Sequence, residues 1–324
     1  MKPDFDVAVI GGGPAGTSTA LHLVRREGVA AGRVVVLEKA RHPRDKPCAG
    51  AVSAWGLDAL SAIGAPLDVP HVTMQGLRVL TAEHEGVHHA RLGVVVRRSE
   101  FDASLWRRVQ GDGVVALEAE PLVGLERGLG HWTLVTPART LTARLVAACD
   151  GSGSALRKLL RVPEAARKGH LYVVETPPGR HDAASAAGLC DFDLRVAADG
   201  VQGYYWDFPA VIAGSASVSR GIYHANLQPH RRLKDALARA LAVRAIDIAT
   251  LRLRPFSTRP LVPGAPLSLD AVALVGEAAG IDATTGEGIA QAVLMGAMAA
   301  RHLAAALRRG DTRLASYGSE VLAS

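Results

Sequence analysis

The 324-residue sequence predicts an α/β protein with a mainly β insertion, on three observations. The first is a β-branched run at residues 6–10, followed at once by a glycine-rich turn and a helix-forming stretch. The second is the apolar run 271–275, which leads through small residues into a long apolar stretch. The third is a set of alternating, β-branched segments between these two. A strand, a glycine turn and a helix in this order are typical of a Rossmann-like domain.

The first turn, GGGPAG, has the spacing of a dinucleotide-binding turn. Gly11 permits the tight turn, Gly13 lets the backbone approach a pyrophosphate, and Gly16 lets the helix pack against the strand. The free N–H groups at the start of the helix would then face the phosphates. The alternative, a simple bend between a strand and a helix, stays open on this turn alone.

A carboxylate follows the second predicted strand, where Glu38 comes directly after the apolar run 34–37. This distance from the glycine turn is typical of a carboxylate that binds ribose hydroxyls, whereas the alternative is a solvated strand end. A carboxylate at this place would repel a 2′-phosphate. The site is therefore predicted to hold FAD or NAD in preference to NADP.

The carboxy-terminal strand and helix favour FAD over NAD. In FAD domains of the glutathione-reductase type, an acidic turn such as Gly276–Glu277 meets the ribityl and pyrophosphate groups. A helix starting at Gly286, Gly288 and Ile289 would direct its positive end at the N1/O2 side of a flavin. Two further patches lie between the ends in the expected order. The first is Arg98 with Phe101 and Asp102, for which the alternative is an amphipathic helix with a basic face. The second is Asp150 with Gly151, for which the alternative is a polar turn.

Taken together, these motifs resemble those of FAD-dependent reductases and monooxygenases of the para-hydroxybenzoate hydroxylase fold, over nearly the whole chain. Two segments narrow the resemblance to the geranylgeranyl reductase family: KPCAG at 46–50 resembles its KPCGG segment, and GYYWDFP at 203–209 resembles its YxWxFP motif. Three positions depart from the family pattern, namely Glu277 in place of the usual aspartate, Thr284 in place of a proline, and Ala210 in place of a lysine.

The motifs and the resemblance imply a set of FAD contacts spread along the chain. The predicted cofactor-binding residues are Gly11, Gly13, Ala15, Gly16, Glu38, Lys39, Arg44, Cys48, Ala49, Gly50, Arg98, Leu122, Asp150, Gly151, Gly276, Glu277, Gly286, Gly288 and Ile289.

The GYYWDFP segment concentrates aromatic residues in a chain that is only 4% aromatic. Its period-2 alternation predicts a strand with Tyr204, Trp206 and Phe208 on one face. With Pro209, these residues are predicted to bind an apolar or aromatic substrate, and the alternative is a core strand. Tyr204 and Trp206 are also placed in the predicted catalytic set.

Cys48 is the remaining predicted catalytic residue, and the resemblance implies a place for it near the flavin. Cys48 or Tyr204 is the candidate proton donor for a reduction, although a free cysteine is more often a small core residue. Neighbouring His42 reads as an ordinary loop histidine. The histidines and the three separated cysteines predict neither a metal site nor a disulfide framework.

Composition and charge limit the partners. The 37 Lys+Arg and 31 Asp+Glu residues give a net charge of +6, but the basic residues are scattered, so no nucleic acid is expected. A cytoplasmic location, with at most peripheral membrane contact, fits the cysteine usage and the amino terminus, which enters a strand without a leader pattern. Because no second GxGxxG is present, the reductant is expected to be transiently bound NAD(P)H, or a separate reductase or ferredoxin.

The domain and function expectations follow. Residues 1–68, 94–162 and 262–324 are predicted to form the FAD-binding domain, and residues 69–93 and 163–261 the inserted substrate domain. The favoured function is the reduction of carbon–carbon double bonds by hydride transfer from flavin N5. One alternative is a monooxygenase or halogenase that uses a C4a–oxygen adduct, since GYYWDFP is partly similar to the WxWxIP segment of flavin halogenases. A second alternative is a non-catalytic, FAD-bound interaction protein.

Overall fold

The structure is a computed structural model that describes residues 2–164, 167–228, 232–262, 264–282 and 284–323. Its strands are β1 (Phe5–Ile10), β2 (Val34–Glu38), β3 (Ala51–Ser53), β4 (His71–Leu80), β5 (Glu85–Val96), β6 (Val115–Glu118), β7 (Gly124–Arg127), β8 (Trp132–Val135), β9 (Thr140–Ala148), β10 (Gly169–Thr176), β11 (Leu189–Asp193), β12 (Gly203–Ile212), β13 (Ser215–His224), β14 (Arg254–Thr258), β15 (Ser268–Leu269) and β16 (Val272–Leu274). Its helices are α1 (Pro14–Arg25), α2 (Ala54–Ala62), α3 (Arg98–Gly111), α4 (Ala155–Leu159), α5 (Ala183–Ala186), α6 (Leu233–Ala242), α7 (Ile289–Arg309) and α8 (Ala315–Ala323).

The first sheet carries the Rossmann-like core. Its parallel strands lie in the order β16–β9–β1–β2–β6, and an antiparallel β7–β8 pair continues from β9. These strands are rich in valine, leucine and alanine, and the central ones are almost fully buried. Such runs are expected for parallel strands that are covered on both faces. The carboxyl ends of β1, β2 and β9 therefore lie together at one edge of the sheet.

The two motif-bearing helices pack against each other. Helix α1 contacts α7, and Gly296 makes this possible because a Cβ there would lie 2.8 Å from the Ser18 side chain. Helix α7 is the one described helix that is long and apolar enough to span a membrane, but most of it is buried inside the protein. Such burial is typical of a core helix.

The second sheet has the order β14–β10–β13–β12–β11–β4–β5–β3, antiparallel except for the β11–β4 pair. Two stretches of the predicted FAD domain, residues 51–53 and 94–96, belong to this sheet as β3 and the end of β5. Residues 194–199 follow β11 as a 3₁₀ turn, in which the Asp193 carboxylate accepts a hydrogen bond from the Arg195 N–H.

The two faces of the second sheet differ in their cover. Tyr205 and Ile222 point to one face, where they pack against the apolar side of α6. Trp206, Phe208 and Tyr223 point to the other face, where they cluster with residues of β4, β5 and the 49–51 segment. The alternation in β12 therefore aims one set of aromatic side chains toward the loops that leave the first sheet.

Candidate cofactor and active site

The glycine turn is crowded on two sides and accessible on the third. Gly11 has a φ of +107°, and a Cβ on it would lie 2.4 Å from the Cys149 carbonyl oxygen. A Cβ on Gly16 would lie 1.8 Å from the Gly11 oxygen. A Cβ on Gly13 would meet only the Arg44 guanidinium, at 3.1 Å. Packing alone therefore requires Gly11 and Gly16, whereas the space at Gly13 is limited only by a flexible side chain.

Gly13 is also the N-cap residue of α1, which has a proline in its first turn. Within the described residues, no side chain caps this helix. The first N–H groups of a helix have no partner inside the helix and attract anions. The turn thus presents backbone donors at an accessible position.

Glu38 lies against this turn at the end of β2. Its carboxylate accepts hydrogen bonds from the Gly12 N–H at 2.8 Å and from the Ala40 N–H at 2.9 Å, and the residue is only 4% exposed. The carboxylate is therefore held in a fixed orientation beside the glycine turn.

A buried charge cluster adjoins Glu38. Arg98 donates two hydrogen bonds to Asp102, at 2.8 and 2.9 Å, and the Arg44 guanidinium lies 3.1 Å from Asp102 and 3.6 Å from Glu38. Burial acts to raise the pKa of Asp102, but the neighbouring Arg98 and Arg44 outweigh it and lower that pKa. Arg44 thus links two carboxylates while lying across the accessible side of Gly13.

His42, read from the sequence as a loop histidine, is a buried part of this region. Its ring stacks on Trp106 with centroids 4.8 Å apart, and its Nδ1 lies 3.0 Å from the Glu118 carboxylate. Among the described residues, the His42 Nε2 and Trp106 Nε1 atoms are buried without a hydrogen-bond partner. The chain gives no local signal of this pairing, because the two residues are 64 positions apart.

Asp150 and Glu277 approach the turn from the neighbouring strands. Asp150 accepts a hydrogen bond from the Leu156 N–H at 3.0 Å through one oxygen, and within the described chain its other oxygen is buried without a partner. Burial raises the pKa of Asp150. Lys46 lies 2.9 Å from Glu277, whose carboxylate would be 3.8 Å from a Cβ on Gly151.

The remaining predicted contacts surround these groups. Gly276 has a φ of +61° and lies against Ala15, while Gly50 has a φ of +88° and lies against the Val96 carbonyl. Ala49 is half-buried, Leu122 is buried and Lys39 is exposed.

The start of α7 lies beside the aromatic face. Gly288 is the N-cap of α7, as predicted. A Cβ on Gly286 would lie 3.1 Å from the Tyr223 ring, so the 284–288 loop packs directly on the second sheet. The Tyr204 hydroxyl donates a hydrogen bond to the Thr285 carbonyl oxygen. This loop therefore connects the start of α7, which packs with the first sheet, to the aromatic strand β12 of the second sheet.

The aromatic face itself is closely packed. The Tyr204, Trp206 and Phe208 rings contact one another in sequence, and Phe192 contacts both Tyr204 and Phe208. Trp206 is 2% and Phe208 3% exposed, Pro209 is buried, and Tyr204 is half-buried. The predicted one-face arrangement is present, and Tyr204 is its most accessible ring.

Comparison with known proteins agrees with this geometry. Residues 4–184, more than half of the chain, match the family described as FAD binding domain. The chain belongs to this family. The accessible Gly13 and the uncapped α1 fit an anionic pyrophosphate, and the unpartnered Asp150 oxygen can accept a hydrogen bond from a hydroxyl group, so the site described above is suited to FAD.

Two curated relatives are reductases. A digeranylgeranylglycerophospholipid reductase from Methanosphaerula palustris is 26% identical, over 99% of this chain and 82% of its own length. A menaquinone reductase from Mycobacterium tuberculosis is 28% identical, over 92% of this chain and 76% of its own length. The chain is an FAD-dependent oxidoreductase, and it is similar over most of its length to reductases of the geranylgeranyl reductase type, in agreement with the resemblance of its motifs.

Solved structures confirm the fold class. A geranylgeranyl bacteriochlorophyll reductase-like protein from Thermoplasma acidophilum superimposes with a TM-score of 0.80 at 21% identity, covering 98% of this chain and 83% of its own. The flavin-dependent halogenase CmlS gives a TM-score of 0.75 at 18% identity, covering 98% of this chain and 61% of its own. The same fold therefore serves reductases and halogenases.

In this FAD-binding protein, Cys48 lies between the cofactor elements and the second sheet. Its sulfur accepts a hydrogen bond from the Gly50 N–H at 3.4 Å. The sulfur is also among the groups that raise the pKa of Arg98, after the opposing effect of burial and the larger effect of Asp102. A small cavity runs from Cys48 and Arg98 past Val96 to Ala210, Val211 and Ile212 on β12. The predicted cysteine thus borders a small space whose far side carries both the apolar end of β12 and the polar side chains of Glu175, Ser219 and Arg254.

Proposed function

We propose that this protein reduces carbon–carbon double bonds of an isoprenoid or another apolar substrate. The observation that carries the proposal is the aromatic face of β12, which lies next to the α7 start and the Cys48 segment. An aromatic, water-excluding surface beside a flavin site suits an apolar chain better than a charged substrate.

Each part of the site has a task under this proposal. Bound FAD supplies the hydride. The glycine turn, Glu38 and the α7 start hold the two ends of the dinucleotide, while Arg44, Arg98 and Lys46 provide positive charge near its phosphates. Tyr204 and the rings behind it would exclude water from the reacting double bond.

The names of the relatives support the substrate class. One relative is named for reducing a digeranylgeranyl glycerophospholipid and another for reducing menaquinone. The substrate proposed for this chain accordingly has an unsaturated hydrocarbon portion. For the reductant, we propose NAD(P)H binding transiently, or a separate reductase or ferredoxin, and a cytoplasmic location with at most peripheral membrane contact.

The test is a single-turnover reaction. The purified protein is loaded with FAD, reduced anaerobically with dithionite, and mixed with geranylgeranyl diphosphate or with menaquinone in detergent. Reoxidation of the flavin is expected, together with a product that stays two hydrogens heavier after exposure to air, because a reduced alkene is not reoxidised whereas a quinol returns to the quinone. Reoxidation that requires oxygen and yields a hydroxylated product would favour the monooxygenase instead. A halogenated product, formed when halide is also present, would favour the halogenase. Stable reduced flavin with every alkene and with oxygen would point to the non-catalytic alternative.

A variant of the aromatic face tests the binding surface. Trp206→Leu is expected to weaken substrate binding roughly tenfold, about 1.4 kcal/mol, because the buried Trp206 ring packs behind Tyr204, the accessible ring of this face. The matched control is Ile222→Val, which alters the α6-covered face of the same sheet and should leave substrate affinity unchanged. If Trp206→Leu lowers only the melting temperature, β12 is a core strand and the substrate lies elsewhere.

A further inference from the structure

The loop that precedes α7 is held from three sides. Tyr204 of β12 donates a hydrogen bond to the Thr285 carbonyl, Tyr223 of β13 packs its ring on Gly286, and Ser53 at the end of β3 donates to the Glu287 carboxylate. These contacts bring ionisable side chains from separate parts of the chain to one place, next to the proposed flavin end. An alkene reduction consumes one proton, and each of these ionisable side chains is a candidate source of it.

Asp282 is the first of these groups, and its surroundings keep it ionised. It accepts hydrogen bonds from the Thr284 and Thr285 N–H groups, both at 2.8 Å, and from the Thr285 hydroxyl. Burial acts to raise the pKa of Asp282, but these three donors outweigh it and lower that pKa. Asp282 therefore carries no proton to give near neutral pH.

Tyr204 and Cys48, the two donors expected from the sequence, are also poorly placed to give one. The Tyr204 hydroxyl already donates to Thr285, and burial, with the nearby Tyr223, Cys48, Asp282 and Glu287, raises its pKa far above the usual range. The Cys48 sulfur faces the Gly50 N–H and the Arg98 guanidinium. Both are donors, so the sulfur is positioned to accept hydrogen bonds.

Glu287 differs from these groups. In the described part of the chain, its carboxylate has one hydrogen-bond partner, the Ser53 hydroxyl. Burial raises the pKa of Glu287, Ser53 partly opposes this, and the negative charge of Asp282 adds to it. The residue is half-buried, so its second oxygen can exchange protons with water. It directly precedes the N-cap of α7, on the same loop that Tyr204 holds.

We propose that Glu287 is the proton donor of the reduction and that Ser53 positions its carboxyl group. The proposal rests on the proposed alkene reduction. One alkene carbon gains a hydride, which brings two electrons from reduced FAD, and the other gains the Glu287 proton. The π bond is replaced by two C–H bonds, FAD is left oxidised, and the Glu287 carboxylate is reprotonated from water.

The central experiment compares Glu287→Gln with Glu83→Gln, a matched change in the exposed β4–β5 turn. Both variants should titrate with FAD like the parent, as followed by flavin fluorescence. In single-turnover alkene reduction, Glu287→Gln should be slower by about 10² to 10⁴-fold, the usual contribution of a general acid, while Glu83→Gln should match the parent. In D₂O, the parent should add deuterium to one face only of the carbon that accepts the proton. Glu287→Gln should lose this facial selectivity.

A second measurement does not depend on turnover. Infrared difference spectra of the protein over a pH series should show a protonated carboxyl group that is absent in Glu287→Gln. Ser53→Ala should move the titration of this group to higher pH, because the Ser53 hydroxyl stabilises the carboxylate. A role limited to packing would leave that titration unchanged.

The outcomes separate the two proposals. A parent protein that reduces no alkene overturns the proposed function and, with it, the role of Glu287. A parent that reduces alkenes, with Glu287→Gln keeping the parental rate and deuterium selectivity, overturns the proton donor alone. A carboxyl titration that is unchanged in Ser53→Ala overturns the positioning role of Ser53.

Discussion

The two ends of the cofactor site are built differently. At the glycine turn, the groups come mostly from two short segments, residues 11–16 and 38–44, and backbone crowding fixes their geometry. At the aromatic end, side chains from β3, β12 and β13 meet the 284–288 loop across as many as 234 positions of sequence. The first end is a local structure, whereas the second forms only when both sheets have assembled.

This difference teaches which changes each end tolerates. At Gly11 and Gly16, an added Cβ collides with backbone atoms, which cannot move without disturbing β1 and β9. At the aromatic end, the hydroxyl groups of Tyr204 and Ser53 and the ring of Tyr223 hold a loop, and each contact can be removed singly. Variants at the turn should therefore have large effects, and variants at the aromatic end smaller and more specific ones.

The largest effect is expected from a pair of glycine variants. Gly11→Val should prevent stable folding, because φ is +107° and the Cβ would lie 2.4 Å from the Cys149 oxygen. Backbone strain and overpacking cost about 1 to 3 kcal/mol each. Gly13→Val should fold, because the backbone of Gly13 is extended and its Cβ meets only Arg44. It should lose FAD, because the added side chain would occupy the space that the pyrophosphate needs. Thermal melting and flavin absorbance measure the two effects. A yellow, fully loaded Gly13→Val protein would mean that the turn is only a bend.

A smaller effect is expected at Glu38. Glu38→Ala removes a carboxylate that accepts two backbone hydrogen bonds and is predicted to bind the ribose. Loss of a charge-assisted hydrogen bond costs about 1.5 to 3 kcal/mol, so FAD affinity should fall roughly tenfold or more. Fluorescence titration measures the change, with the exposed Glu83→Ala as control. Unchanged FAD affinity would restrict Glu38 to holding the turn.

The same contrast explains what the sequence could predict. The glycine turn, Glu38, the α7 start and the alternation of β12 are properties of neighbouring residues, and the structure has the corresponding strands, turns and helices. The stacking of His42 on Trp106 and the bond from Ser53 to Glu287 join distant positions. No spacing rule connects such pairs, because they depend on how α3 and β3 pack after the sheets form. The pairing of Arg44 with Asp102 has the same origin.

At the aromatic end, Tyr204→Phe should have a moderate effect. It removes the hydrogen bond to the Thr285 carbonyl, which is worth about 0.5 to 1.5 kcal/mol, and keeps the ring contacts. The melting temperature should fall slightly, and hydrogen exchange of the 284–288 backbone should become faster. Turnover should persist, since the hydroxyl is committed to the loop. A complete loss of turnover with an unchanged loop would restore Tyr204 as the acid.

The smallest effect is expected from Cys48→Ser, which conserves shape and keeps an atom that can accept the Gly50 N–H. If the sulfur serves as an acceptor beside Arg98, a serine oxygen can replace it. FAD affinity and stability should then stay near the parental values, and the alkene reduction rate should change less than threefold, about 0.6 kcal/mol. Single-turnover reoxidation beside an FAD titration measures this, with Cys190→Ser as a comparison because that buried thiol has only apolar packing to lose. A large loss of rate in Cys48→Ser with normal FAD binding would instead assign the chemistry to the thiol. The proton donor would then be Cys48, and the role proposed for Glu287 would be overturned.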